Sequence, residues 1–272
     1  MKITYDIADV APYINWAYFY FAWGMHNKPD GEKRELRQEA EAALADIAGS
    51  YHTYALFQLF DANSDGDDVL ISGNGVGGAY IRIPFLRQQQ PDSDFRCLSD
   101  FVRPSSLGQK DRVGVFATTV DLGLETDFDR DDYRKMMMQL LADRLAEATA
   151  ERMHEEVRRH YWGYASDERL TIREMQQEYF QGIRPAVGYP SLPDTSLNFV
   201  IDSLLDMKQI GIRLTESGAM KPHASVSGLM LAHPESRYFS VGKIGEDQLR
   251  DYAHRRGLPV EVCRRFLAAN LV

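Results

Sequence analysis

Cysteine is nearly absent: Cys97 and Cys263 are the only two in 272 residues. They stand far apart without CxxC spacing, which excludes a disulfide framework and a thiolate zinc site and leaves two reduced, inert thiols as the expectation. Positive charge is also in short supply, with 31 Lys and Arg against 40 Asp and Glu and a net charge of -9. Nucleic-acid affinity rests on clustered cations that release counterions from phosphates, so no nucleic-acid partner is expected. No apolar run approaches the ~20 residues that cross a bilayer. The stretch Ala17 to Trp23 is too short, and Asp6 and Asp9 precede any long apolar segment, unlike a secretory signal. The expected location is the cytoplasm, with no membrane partner. HExxH, GxSxG and Walker motifs are missing as well, so no self-contained hydrolase, kinase or metal chemistry is expected and no catalytic residue is assigned. Ligand binding is the direction that remains.

Hydrophobic residues make up 44% and charged residues 26%, ample for a buried core. Length alone leaves one large domain or two small ones open. Aromatic residues crowd Ile14 to Met25, where core packing is the default reading. Glu32 to Ala48 reads as an amphipathic helix stopped by Gly49. Short β-like runs follow at Tyr54–Phe60, Val69–Ile71, Ala79–Phe85 and Val113–Val120, separated by Gly, Asn, Asp and Pro, and predict a hairpin-containing sheet. Acidic residues from Asp127 to Asp132 then precede a long helical pattern from Tyr133 to about Tyr161, with a buried stripe of Tyr133, Met137, Leu141, Leu145 and Ala148. A second helix is predicted from Thr171 to about Tyr179, a third over Leu197–Lys208, and closing helices at Asp247–Arg256 and Val260–Leu267. Ile212–Thr215 and Ala224–Leu231 read as strands.

Two local patterns are decoys. Asp61-Ala62-Asn63-Ser64-Asp65-Gly66 opens like a calcium loop, but position 12 is Ser72 rather than Glu and the flanks are β-like, so a hairpin turn is favoured. Gly73-Asn74-Gly75-Val76-Gly77-Gly78 resembles a dinucleotide-binding loop, yet a strand pattern follows it instead of a helix. Chemistry of another kind gathers at Gly182–Pro190, whose prolines and glycines forbid a regular helix or central strand and can hold Arg184 rigidly for bidentate contact with a carboxylate. Thr215–Gly228 is mostly small residues, which suit either close approach to a ligand or protein surface, or tight strand packing. On the long helix, Leu140, Glu147 and His154 fall in one line at the edge of the apolar face. Glu147 then either pairs with Arg144 or Arg152 or, with Glu178, accepts from a ligand's ammonium or hydroxyl.

A set of motifs ties these stretches together. Along the long helix and beyond it run Asp131-Asp132-Tyr133, Leu141-Ala142-Asp143-Arg144-Leu145-Ala146-Glu147-Ala148, His154-Glu155 and Tyr161-Trp162-Gly163-Tyr164. Further on come Gln181-Gly182-Ile183-Arg184-Pro185-Ala186, Gly188-Tyr189-Pro190, Leu214-Thr215-Glu216-Ser217, Ala219-Met220, Ala224-Ser225-Val226-Ser227-Gly228, His233-Pro234-Glu235-Ser236 and Asp251-Tyr252-Ala253. In these the chain resembles the activation domain of cobalamin-dependent methionine synthase, strongly over 131–272 and in fragments over 1–130, so that 1–272 is expected to be one such domain. The resemblance implies an α+β fold, a bent antiparallel sheet with flanking helices, that binds S-adenosylmethionine in a shallow groove. It implies that the chain supports reductive remethylation of cobalamin, without turnover of its own. The partners implied are a cobalamin-binding methionine synthase subunit, which holds the cobalamin, and a flavodoxin-type electron donor. Carried over residue by residue, the ligand would meet Arg184, the backbone at Ala186, Tyr189, Tyr238, Phe239 where the family also shows tyrosine, Glu147 and Glu178. The family's aspartate before a tryptophan near the start is replaced here by Asn15 before Trp16. Asparagine still accepts a hydrogen bond but brings no charge to the ligand's ammonium, so weaker binding is expected, and loss of the ligand by a repurposed module is the alternative. Ala224–Gly228 and Lys221-Pro222-His223 are the expected docking face.

Overall fold

The computed structural model describes residues 1–72 and 80–272. The glycine-rich stretch Gly73–Gly78 lies outside the described residues. In chain order the elements are β1 (Lys2–Asp6), α1 (Ile7–Val10), α2 (Trp16–Ala22), α3 (Asp30–Ile47), β2 (His52–Asp65), β3 (Asp68–Ser72), β4 (Tyr80–Pro84), β5 (Asp111–Val120), α4 (Gly123–Thr126) and α5 (Asp132–Glu156). They continue with α6 (Ile172–Gln176), α7 (Leu197–Leu205), β6 (Arg213–Leu214), β7 (Met220–Lys221), β8 (Ser225–Met230), α8 (Glu246–Arg256) and α9 (Val260–Phe266). The main sheet has the order β4-β3-β2-β5-β8 with β1 antiparallel to β2, and β6 and β7 form a separate two-stranded ribbon. Two compact units divide the chain: unit 1 is Met1–Phe57, Ala117–Phe180 and Met207–Val226, and unit 2 is Gln58–Phe116, Gln181–Asp206 and Ser227–Val272.

Unit 1 is organised on α5. Asp131 caps it, its carboxylate accepting from the N–H groups of Tyr133 and Arg134 at 3.0 and 3.1 Å, where negative charge also meets the positive helix end. Met137, Leu141, Leu145 and Ala148 are buried as the stripe requires, but Tyr133 is not: it is 52% exposed. It stands in the first turn beside the cap, where its hydroxyl donates to Glu39 of α3 at 2.5 Å. After Glu156 the helix widens into a π turn over Val157–Tyr161, in which Trp162 N–H reaches back five residues to the Val157 carbonyl at 2.8 Å. Arg158 of this turn is fully buried and grips Glu168 with two bonds of 2.9 and 2.6 Å. Its Nη1 lies 2.9 Å from His154 Nδ1, and because a guanidinium only donates, His154 accepts there and keeps its own proton on Nε2. The line of Leu140, Glu147 and His154 therefore ends in a structural histidine. The helix after Thr171 is shorter than its pattern suggests, since α6 stops at Gln176 and Glu178 takes a left-handed backbone at φ 60°. A capping box between Thr171 and Glu174 starts it.

Unit 2 carries the β2–β3 hairpin, with Asp65 opposite Asp68 across a turn through Gly66 at φ 59°. The calcium-loop decoy is the start of this hairpin. Asn63 donates to the carbonyls of Arg103 and Gln109, Asp65 meets Arg82 at 3.0 Å and Asp61 meets Lys110 at 3.2 Å, so each oxygen-bearing side chain serves a different partner. Buried Asp68 is neutralised by Arg82 and Arg255. Leu86, Val241, Ile244, Leu249, Tyr252 and Leu267 form the core against which α8 and α9 pack. Both cysteines are buried and free, and burial pushes the Cys97 thiol up to about 11, far from the reactive thiolate. Among the described residues no helix is long and apolar enough to cross a membrane.

The Arg158–Glu168 pair sets a measurable expectation. Removing one partner strands a buried charge, so Glu168→Gln should cost about 3–5 kcal/mol in urea unfolding, whereas Arg158→Met with Glu168→Leu should recover part of it. A loss below ~1 kcal/mol for Glu168→Gln would show that the pair is not desolvated in solution.

Candidate functional site

In unit 2 the Pro/Gly segment 183–187 runs antiparallel along β8. Ile183 and Leu231 exchange N–H···O bonds of 2.9 Å, Leu229 N–H reaches the Pro185 carbonyl at 3.0 Å and Val187 N–H reaches the Ser227 carbonyl at 2.8 Å. Ala186 thus faces Gly228 with its neighbours making the bonds, which turns its own N–H and C=O away from β8. At Gly228 a Cβ would stand 2.2 Å from the Pro185 carbonyl oxygen and 2.9 Å from Ala186 Cα, so only glycine permits this approach. The backbone N–H of Arg184, which points off the strand, donates to the Tyr238 hydroxyl at 2.9 Å. The Arg184 side chain is only 7% exposed, and its guanidinium lies 5.7 Å from the centre of the Phe116 ring. Tyr189 closes the loop: its N–H donates to the Ala186 carbonyl, Gly188 at φ 87° bonds Leu192, and the Tyr189 ring stays 47% exposed. Phe239 packs on the Val241 cluster and edges Phe101 with ring centres 6.5 Å apart.

The remaining predicted residues belong to unit 1. Asn15 caps α2, its Oδ1 accepting from Ala17 N–H at 3.1 Å, and Arg37 lies over the Trp16 ring at 4.7 Å. Glu147 is half-buried on α5. Of the two arginines near it in sequence, Arg152 holds Glu156 at 3.1 Å and Arg144 lies over the Tyr18 ring. Glu178 is exposed in the left-handed turn after α6, and α6 is tied to the residue before Asn15 by a 3.3 Å bond from Gln176 Nε2 to the Ile14 carbonyl. The docking face expected at Ala224–Gly228 is a correction. Ala224, Val226, Ser227 and Gly228 are buried: β8 lies beside β5 in the sheet, and from Ser227 onward segment 183–187 runs along it, so tight packing is what the small residues serve.

Two comparisons with known proteins bear on this arrangement. The profile of the family described as vitamin B12 dependent methionine synthase, activation domain, matches residues 6–257. This chain belongs to that family. A solved structure, the crystal structure of the MetH reactivation domain bound to AdoHcy, is similar to it at 38% identity with a TM-score of 0.92, over 100% of this chain and 90% of that chain.

The α+β architecture read from the motifs is therefore that of the activation domain, and the likeness reaches well before Asp131, where few motifs are legible. Sequence reasoning missed the bond from Arg184 N–H to Tyr238 and the pairing of 183–187 with β8. One signal was present, since an isolated glycine within a strand pattern marks close backbone approach, and Gly228 is such a residue. Gly228→Ala in this activation domain should displace segment 183–187 and lower stability by about 2–4 kcal/mol. Unchanged thermal unfolding of that variant would contradict the close approach of the two backbones.

Proposed function

We propose that this activation domain, residues 1–272 as one functional domain, binds S-adenosylmethionine and acts in trans to reactivate a cobalamin-dependent methionine synthase. The observation that carries the reading is the full-length likeness to a MetH reactivation domain bound to AdoHcy. AdoHcy is what S-adenosylmethionine becomes once its methyl group has been given away. Unit 2 offers groups that fit such a ligand. Arg184 presents a desolvated guanidinium, and in a low-dielectric setting its fork matches the two oxygens of an amino-acid carboxylate. The N–H of Ala186, turned away from β8, is a donor for a nearby acceptor, while the exposed Tyr189 ring and Tyr238 flank the same loop. In unit 1, Glu147, Glu178 and Asn15 keep the acceptor roles that the resemblance gives them.

When bound, S-adenosylmethionine supplies a sulfonium methyl group for transfer. The acceptor in this proposal is cobalt in the cobalamin of a partner subunit, with an electron from a flavodoxin-type donor. The residues described bind and orient. Titration calorimetry with S-adenosylmethionine should show saturable binding that Arg184→Ala weakens by roughly 30-fold or more, as expected when one half of a desolvated charge pair is removed. Equal heat from the variant would remove Arg184 from the site.

A second reading rests on Asn15. Where the family's aspartate pairs with the ligand's ammonium, asparagine supplies no charge, and a module that has lost the ligand would show the same replacement. Asn15→Asp separates the two. The carboxylate keeps the cap on α2 and should tighten S-adenosylmethionine binding about tenfold if the ligand still binds here. If neither the natural chain nor this variant gains melting temperature with millimolar S-adenosylmethionine, the repurposed module is the correct reading.

A further inference from the structure

A cleft of about 640 Å³ opens in unit 1, lined by none of the candidate site residues and bordered by β1, the end of β5, and the β6–β7 ribbon. Lys2, Arg213 and Lys221 border it, and its one carboxylate is Asp121. Asp121 is held by β2: Oδ1 accepts from the Tyr54 hydroxyl and Oδ2 from the His52 backbone N–H, both at 2.7 Å, with the His52 Nδ1 3.7 Å from Oδ2. Burial and that bond push the Tyr54 phenol up to about 12, so it remains the proton donor. No acidic side chain among the described residues pairs with Lys2, Arg213 or Lys221, in contrast to Arg82, Arg87, Arg158 and Arg255.

The placement of these cations is unfavourable for the empty cleft. Arg213 and Lys221 are direct partners across the antiparallel β6–β7 ribbon, and like charges opposite one another repel. Lys2 is held in position as a third cation, its ammonium on the Gln209 carbonyl at 2.8 Å and 5.6 Å from the Tyr54 ring centre. Between these charges the wall is apolar, with buried Val120, Ile210 and Pro222 beside Leu122, which is 57% exposed. The volume is that of a small-molecule site. From this juxtaposition we propose that the cleft binds an organic phosphate, a nucleoside diphosphate in class, with its phosphates on Arg213, Lys221 and Lys2 and its ring system on the apolar wall. A guanidinium beside two ammonium groups matches the roughly three negative charges of a diphosphate ester, and the anion relieves the repulsion across the ribbon.

The test uses the full chain and UDP, a nucleoside diphosphate without adenine, so that the proposed S-adenosylmethionine loop is not probed by the same compound. Calorimetry at low ionic strength should show one saturable site that weakens roughly tenfold or more in Arg213→Gln/Lys221→Gln and falls with added salt. Without ligand that double variant should melt at the same temperature as the natural chain or above it, since a repulsion has been removed. Its response to S-adenosylmethionine should be unchanged. Absence of saturable UDP binding at millimolar concentration, or binding unaffected by the double substitution, overturns the proposal. Pyrophosphate binding as tightly as UDP would overturn the role of the apolar wall.

Discussion

The main-chain pairing of residues 183–187 with the edge of β8 is the constraint on which the Arg184 loop depends. The stretch Gly182–Pro190, with two prolines and two glycines, has little regular structure of its own, yet four backbone bonds between Ile183–Val187 and Ser227–Leu231 hold its first half to a rigid strand. Gly228 makes that contact possible by leaving room for the Pro185 carbonyl. Because Ala186 sits between the bonding residues, its polar groups face outward, and because the Arg184 N–H is off the strand, Tyr238 can take it. The loop is therefore positioned by backbone hydrogen bonds, which side-chain chemistry then exploits.

Charge is handled in two ways in this acidic chain. Two ion pairs show the first: buried Arg158 with Glu168 behind the π turn, and half-buried Arg255 with buried Asp68 in unit 2. An unmatched buried guanidinium would cost several kcal/mol, so these pairs are conditions of folding more than bonuses to it. At the cleft beside the β6–β7 ribbon the opposite holds, and three cations stand together while the one lining carboxylate is bonded to Tyr54 and His52 of β2. Exposure makes that arrangement tolerable, since water screens what the protein does not neutralise.

Much of the architecture was legible because it follows local rules. The periodicity of α5, the acidic residues before its start, the short β-like runs of β2, β3 and β5, and the glycine stop after α3 are each set by neighbours within a few residues. The errors came where a partner distant in sequence intervened. Tyr133 fits the apolar stripe by spacing but is held outward by Glu39. The helix after Thr171 is the exception, ending early for a local reason, the left-handed backbone at Glu178. Ala224–Gly228 looked like a docking surface because small residues suit either role, and only its place in the sheet, beside β5 and with Ser227 and Gly228 against segment 183–187, decides between them.

The sequence by itself determined the element types, the acidic balance, the absence of a regular helix from Gly182–Pro190 and, through its motifs, the activation-domain family. Only the tertiary structure decided that the loop lies on β8, that the Tyr238 hydroxyl accepts the Arg184 N–H, that His154 serves Arg158, and that Lys2, of the first strand, shares a cleft with Arg213 and Lys221. The reason is physical. Helix periodicity and turn chemistry are written in contiguous residues, whereas burial, hydrogen-bond partnership and uncompensated charge depend on which distant segments the sheet brings side by side.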